Sequence, residues 1–208
     1  FDEDEMSVES LFRTFEQMPE IERVALERAS GHILDVGAGS GCHSLALQDM
    51  GKDVCAIDIS PRSVEVMRES GVRDARLINM YDCALTEKFD TILMLMNGTG
   101  IVGTLDNMPA FFERIGQLLA DGGQVLVDSS DLIYLYENED GSVDIDLNGR
   151  YYGEVDFQMQ YKNMKGEGFD WLYVDFDTLA HYAEESGFAA ELVAQGAHYD
   201  YLARLARR

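Results

Sequence analysis

The residues with the greatest chemical potential lie in one stretch. Between Ile33 and Leu45 a short apolar run ends at Asp35, Gly37, Gly39 and Gly41 then alternate with small residues, and a helical pattern resumes. That order reads as a buried parallel strand, a tight turn and a helix N-terminus. Glycine is needed where a backbone turns left-handed or lies directly against a ligand, and the free N–H groups of the helix start point at such a ligand. A second apolar run from Val54 to Ser60 carries Asp58, 21 positions after Gly37. An acid at about that distance holds the ribose hydroxyls in doubly wound sheets. Asp35, Gly37, Ala38, Gly39, Gly41 and Asp58 therefore read as the frame of a nucleotide-type cofactor site.

Spacing narrows the cofactor. A dinucleotide fingerprint would put its third small residue at position 42, which is Cys42 here, whereas the third glycine comes one residue early at Gly41. The pattern D-x-G-x-G-x-G instead resembles motif I of the class I S-adenosylmethionine (SAM)-dependent methyltransferases. The resemblance covers Gly31 to Asp128 well and Asp177 to Leu205 loosely. It implies an α/β fold with a doubly wound, mostly parallel seven-stranded sheet, SAM as cofactor and S-adenosylhomocysteine (SAH) as product. It also implies roles for other residues. Asp58 and Ile59 fall at the ribose. Asn79 stands where the family often carries an aspartate for the adenine amine, with Met80 and Tyr81 beside it and Asp82 as the other acceptor. Asn97-Gly98-Thr99-Gly100 resembles motif IV, where methyl group and acceptor meet. Helices that open such chains lie over the cofactor cleft, which puts Arg13 at the methionyl carboxylate; the competing reading is an ion pair with Glu16 or Glu9.

These residues need elements to position them. Val8, Leu11, Phe12 and Phe15 recur at helical spacing over Met6 to Gln17, and a second helix opens at Pro19 and stops at Gly31. Residues 1–30 are thus expected to cap residues 31–128, the cofactor-binding half. In that half, helices are expected over Ser44–Met50, from Pro61 and over Met108–Ala120. Strands are expected at Asp53–Ile57, Ala75–Ile78, Phe89–Met96 and Gln124–Asp128, the last after an Asp121-Gly122-Gly123 turn. Residues 129–176 differ in character: an aromatic turn, an acidic loop over Asn138–Gly149, then alternating segments Glu154–Tyr161 and Phe169–Tyr173 around a turn at Asn163–Gly168. This reads as an inserted β-hairpin, a candidate cover for the acceptor. Residues 177–208 supply the last helix and strands six and seven, around a His198-Tyr199-Asp200 turn.

Composition bounds the partners. The 208 residues carry a net charge of −23, which repels phosphate backbones and argues against nucleic acid. No apolar run approaches the roughly 20 residues of a membrane span, no signal peptide is expected, and Phe1 to Glu5 is expected to fray. Cys42, Cys55 and Cys83 lack metal-ligand spacing and fit a reducing cytoplasm. The expected partner is a small molecule, cationic or neutral; oligomeric state is not readable. Methyl transfer from a sulfonium is an in-line displacement, so positioning supplies much of the rate. A base is required only where the acceptor must lose a proton. His198 is the candidate base, an exposed turn histidine being the plain alternative, and Asn97 is the other candidate at the reacting centre. His43, at a helix start, is expected to pack near the cofactor. No metal is expected, because the spacing of Asp128, Asp131 and Asn97 requires none. The rival functions are a non-catalytic SAM-binding module, an NAD(P)-dependent oxidoreductase and a spermidine-synthase-like transferase.

Overall fold

The computed structural model describes residues 5–146 and 148–208. The fraying expected of Phe1 to Glu5 thus falls, Glu5 apart, outside the described residues. The chain runs α1 (Glu20–Arg28), β1 (His32–Val36), α2 (Cys42–Asp49), β2 (Asp53–Asp58), α3 (Pro61–Ser70), β3 (Ala75–Leu77), β4 (Phe89–Met94), α4 (Met108–Leu118), β5 (Leu119–Ser130), β6 (Glu154–Tyr161), β7 (Met164–Leu172), α5 (Phe176–Glu185), β8 (Phe188–Gln195) and β9 (Asp200–Arg207). Seven strands form one sheet in the spatial order 3-2-1-4-5-9-8, with only β9 running against the rest. The other two, β6 and β7, pair as a separate antiparallel hairpin. The doubly wound sheet and its inserted hairpin are as the sequence predicts.

Packing explains why β1 and β4 are apolar on both faces. Helices cover each side of the sheet, so the central strands are buried on both faces past their first residues, with Asp90 exposed near the start of β4. Ile33, Leu34, Ile92, Leu93 and Met94 have no exposed surface. On one face Phe111, Phe112 and Ile115 of α4 meet Leu179 and Ala183 of α5. On the other, Ile21, Ala25 and Leu26 of α1 meet Ala46 and Leu47 of α2. Val64 and Met67 of α3 close a third cluster beside β2. That helix starts on a Ser60 cap with Pro61 at its first position and ends at Gly71 in the left-handed region, φ 100°.

Three expectations need correction. Met6–Gln17 is not one helix but two short 3-10 turns, Val8–Phe12 and Phe15–Gln17, with extended backbone at Arg13 and Thr14 and no buried residue in either turn. Thr14 and Gln17 exchange capping bonds that restart the chain, and Arg13 leaves the helical path to reach Glu22. The hairpin turn is Lys162-Asn163, not Asn163–Gly168; Lys162 takes φ 53°, and Met164–Gly168 join the strand opposite a register shift at Gln158/Gln160. Gly166 and Gly168 look like turn residues but mark that irregular strand. Finally, β5 starts at Leu119 and carries Asp121-Gly122-Gly123 within it, across a register shift against β4, as a bulge allows.

Two phenylalanines separate the real core from the expected amphipathic face. Phe112 is 1% exposed and Phe12 is 56% exposed. Phe112→Ala should cost about 3–5 kcal/mol of unfolding free energy, and Phe12→Ala should stay within about 0.5 kcal/mol of wild type, both read by urea denaturation.

Candidate functional site

The glycine turn sits at the carboxyl edge of the sheet, where ligands bind in open α/β folds. Gly37, Gly39 and Gly41 have φ of 69°, 58° and 85°, conformations that only glycine adopts without strain. The amides of Gly37 and Ala38 both donate to the Ile57 carbonyl, at 2.9 and 3.1 Å, which ties the turn to β2. Asp58, at the end of β2, accepts from the Gly39 amide at 2.9 Å and from the Ser60 amide at 2.7 Å. A side chain at Gly41 would collide with Val72 and Met67, whereas one at Gly39 would find nothing nearer than 4.0 Å. Gly41 is therefore a packing requirement of α2 against α3, and Gly39 is the position where backbone is left open to a ligand. Asp35 is turned inward and buried, accepting from the Ser44 hydroxyl at 2.6 Å. Burial raises its pKa against the opposing charge of His43.

The N-terminal segment lies over this turn through polar ties. The Ser40 hydroxyl donates to the Leu11 carbonyl. Arg13 binds neither Glu9 nor Glu16 but Glu22 of α1, with Nε donating to Oε2 at 3.2 Å and Nη2 to Oε2 at 2.5 Å as well as to Oε1. His43 of α2 shares a hydrogen bond with the same Oε2 at 2.8 Å. All three side chains are at most one-tenth exposed. Burial would raise the Glu22 carboxyl, but His43 and Arg13 outweigh it and hold it below its usual value. Nη1 of Arg13 gives one bond to the Ser10 carbonyl at 2.5 Å and, of the five guanidinium N–H donors, keeps one for a ligand.

Beyond β4 the chain turns sharply. Met96 and Asn97 both sit at positive φ, 65° and 59°, which costs about 1–2 kcal/mol at Met96 and less at Asn97, whose short amide side chain tolerates the left-handed region. Asp128, at the end of β5, accepts from the Met96 amide at 3.0 Å and the Gly98 amide at 2.8 Å. Hydrogen bonds to a charged group are worth about 1.5–3 kcal/mol each, enough to hold this turn. Burial pushes the Asp128 carboxyl up to about 7 against the pull of those two amides. Asn97 spends its amide inside the protein: Nδ2 donates to the Leu172 carbonyl at 3.2 Å, and Oδ1 accepts from the Ser129 hydroxyl at 3.0 Å. The Thr99 hydroxyl is 2.7 Å from Ser129 Oγ and 3.1 Å from the Leu172 carbonyl. Trp171 covers Gly100 so closely that any side chain there would overlap its ring. The hairpin root is thus locked onto this turn.

The remaining sequence-derived residues fall on the same edge in different states. Ile59 is 71% exposed beside Asp58, and Tyr81 is exposed. Asn79 accepts from the Tyr81 amide at 3.0 Å, and Asp82 accepts from the Ala84 amide at 2.8 Å. Met80 is 3% exposed and packs in the main core. The His198 turn reaches the edge because Ser130 pairs with Asp200 and the Asp131 amide donates to the Tyr199 carbonyl at 3.0 Å. His198 itself is exposed. Sequence reasoning missed Glu22, which reads as an ordinary first-turn acid of α1. It also missed the tyrosine–acid group in which Tyr152 donates to Asp131 at 2.7 Å and Tyr151 to Asp175 at 2.6 Å. Nothing in local spacing joins those four. Among the described residues no group of three His, Cys, Asp or Glu side chains is arranged to hold a metal ion.

Comparison with known proteins agrees with this geometry. Residues 12–193 match the pattern of a methyltransferase domain. The crystal structure of a SAM-dependent methyltransferase from Bacteroides fragilis in complex with SAH is 61% identical, with a TM-score of 0.93 over 100% of this chain and 84% of that one. A ubiquinone biosynthesis O-methyltransferase of Xanthomonas euvesicatoria pv. vesicatoria (strain 85-10) is 33% identical over 112 residues, 49% of this chain. The chain spans only 44% of that relative's length. An uncharacterized methyltransferase of Staphylococcus carnosus (strain TM300) is 26% identical over 153 residues, 69% of this chain and 73% of that one. With most of its length matched and its glycine turn, strand order and hairpin all in place, this chain belongs to the methyltransferase-domain family, as a class I SAM-dependent member.

Proposed function

We propose that this protein transfers the methyl group of SAM to a small organic acceptor, leaving SAH. The observation that carries the reading is the turn at Gly39, open to a ligand and pinned by the Asp58 carboxylate. When bound, SAM supplies an electrophilic methyl group on a sulfonium; the chain supplies position. The residues present fit such a cofactor. Gly37, Ala38, Gly39 and Gly41 lay backbone against the methionyl and ribose parts, and Asp58 takes the ribose hydroxyls with the lone pairs its two amide bonds leave unused. Ile59 and Tyr81 would hold the adenine, with Asn79 or Asp82 accepting from its amine and Met80, buried in the main core, supporting them. Asp35 backs the turn from inside the sheet, and Arg13 offers its remaining N–H to the methionyl carboxylate.

At the acceptor side, Asn97 acts by shape, since its amide is engaged at both ends. His198 is an exposed imidazole on this edge, available as a base for an acceptor that must lose a proton. Tyr151, Tyr152, Asp131 and Asp175 make this edge aromatic and acidic. The nearby Arg150 is engaged by Glu154, Asp156 and Asp170. A neutral or cationic acceptor fits such a wall, and a phosphate-rich one does not.

Calorimetric titration tests the donor site. SAM and SAH should bind at micromolar concentration and NAD should not. Asp58→Ala should weaken SAH by roughly tenfold to a hundredfold, the loss of one or two charge-assisted bonds; NAD binding as tight as SAH would overturn the reading.

A second prediction concerns the N-terminal cap. Glu22→Gln leaves Arg13 buried without its carboxylate and should cost about 3 kcal/mol, with weaker SAH binding. Because the folded-state pKa of Glu22 lies below its usual 4.5, its stabilisation is complete above pH 4.5 and is lost as pH falls through the folded value. The gap in thermal stability between wild type and variant should therefore be widest near pH 7 and should narrow on acidification below 4.5.

A further inference from the structure

Asp128 is 5% exposed, and no salt bridge involves it among the described residues. A buried carboxylate is costly unless paired, and an apolar residue at the end of a central strand would pack without that cost. Both of its oxygens are engaged, one by the Met96 amide at 3.0 Å and the other by the Gly98 amide at 2.8 Å. Between those amides lie two consecutive non-glycine residues in the left-handed region, Met96 and Asn97. Gly98 has no room for a side chain, because a Cβ there would come within 2.6 Å of the Met94 Cβ. Strain of this kind persists only where surrounding groups over-determine it, and it concentrates at functional sites. Here the over-determining group is one carboxylate that spans the turn.

We propose that Asp128 is a positioning residue of the methyl-transfer site, its carboxylate clamping the Met96–Gly98 turn in the strained conformation that delivers Asn97 to the acceptor edge. This rests on the reading above that the turn faces the acceptor. The clamp acts through a chain of contacts. Fixing Met96 and Gly98 fixes the direction of Asn97, whose amide then meets Ser129 and the Leu172 carbonyl. Through Leu172 the hairpin root takes its place. Asparagine at position 128 has the same shape but one acceptor oxygen, and its amide group would face the second N–H donor to donor.

The test is local. In Asp128→Asn, followed by amide hydrogen exchange and nuclear magnetic resonance at pH 8, above the value of about 7 to which burial raises the wild-type carboxyl, the Met96 and Gly98 amides should exchange about tenfold faster or more. Their proton resonances, shifted downfield by the carboxylate, should move upfield. The amides of Val125 and Val127 in the same strand should keep their rates, and SAH affinity should stay within about threefold of wild type, because the donor side is untouched. Unchanged exchange at Met96 and Gly98, or exchange accelerated equally along β5 with SAH binding lost, would overturn the proposal and leave Asp128 a general core residue. If Asp128→Asn does not fold, the same change is made with Met96→Gly, which relieves the strain without a clamp. Folding of that double variant supports the clamp, and its failure overturns it. Failure of wild-type protein to bind SAH would instead sink the reading of the site, while the exchange comparison would still decide the clamp.

Discussion

Carboxylates on backbone amides hold this molecule's working edge together. Parallel strands all deliver their carboxyl ends to one side, so several loops must turn there without a sheet ladder to satisfy their N–H groups. Asp58 closes the turn after β1 by accepting from Gly39 and Ser60, and Asp128 closes the turn after β4 by accepting from Met96 and Gly98. Each acid stands at the end of a strand adjacent to the loop it holds. The sheet order, with β2 beside β1 and β5 beside β4, is what makes those reaches short. Topology thus sets which acid can serve which loop.

The N-terminal cap depends on a different balance. Its two short turns bury no residue fully, and Phe15 packs half-buried against the α1–α2 cluster, so apolar packing anchors them only weakly. The anchor is Glu22, which holds Arg13 with two edges and His43 with one oxygen. A buried ion pair gains stability only when geometry is good and the remaining donors are satisfied. The geometry is good here, and because the guanidinium also reaches the Ser10 carbonyl, four of its five N–H donors are engaged. The outcome is a cap whose attachment is electrostatic and specific. Segments anchored by few apolar contacts open at low free-energy cost, as the cover proposed for the cofactor turn would need to.

Much of the fold was legible in the sequence because its signals are local. Apolar runs in β1, β2 and β4, the Ser60-Pro61 start of α3 and the Phe111–Leu118 stripe of α4 each report burial within one element. The errors arose where a long-range contact overrode local pattern. Arg13 breaks an amphipathic stretch because Glu22, nine residues on, binds it better than a helix would hold it. Gly166 and Gly168 look like a turn, yet the Lys162-Asn163 reversal leaves them in a strand. Of the proposed site, Asp58 and the glycines are the part that spacing suggests. Glu22 is not, because its importance exists only after α1 and α2 pack. Asp128 was visible as a strand-terminal acid, but its duty toward Met96 and Gly98 needs β4 and β5 side by side.

The hairpin shows how far the edge organises its surroundings. A two-stranded hairpin alone is marginal in water, and most of β6 and β7 beyond Phe157 is exposed. Its order must come from its root. There Leu172 is fully buried and its carbonyl accepts from Asn97 and Thr99, Trp171 lies on Gly100, and the Leu105 amide donates to Glu154 at 2.9 Å. Arg150 adds exposed pairs to Glu154, Asp156 and Asp170, which solvent and salt screen. The buried ties outweigh the exposed ones, so the arm takes its orientation from the turn after β4. Whatever fixes that turn therefore also fixes the direction in which the hairpin leaves the sheet edge.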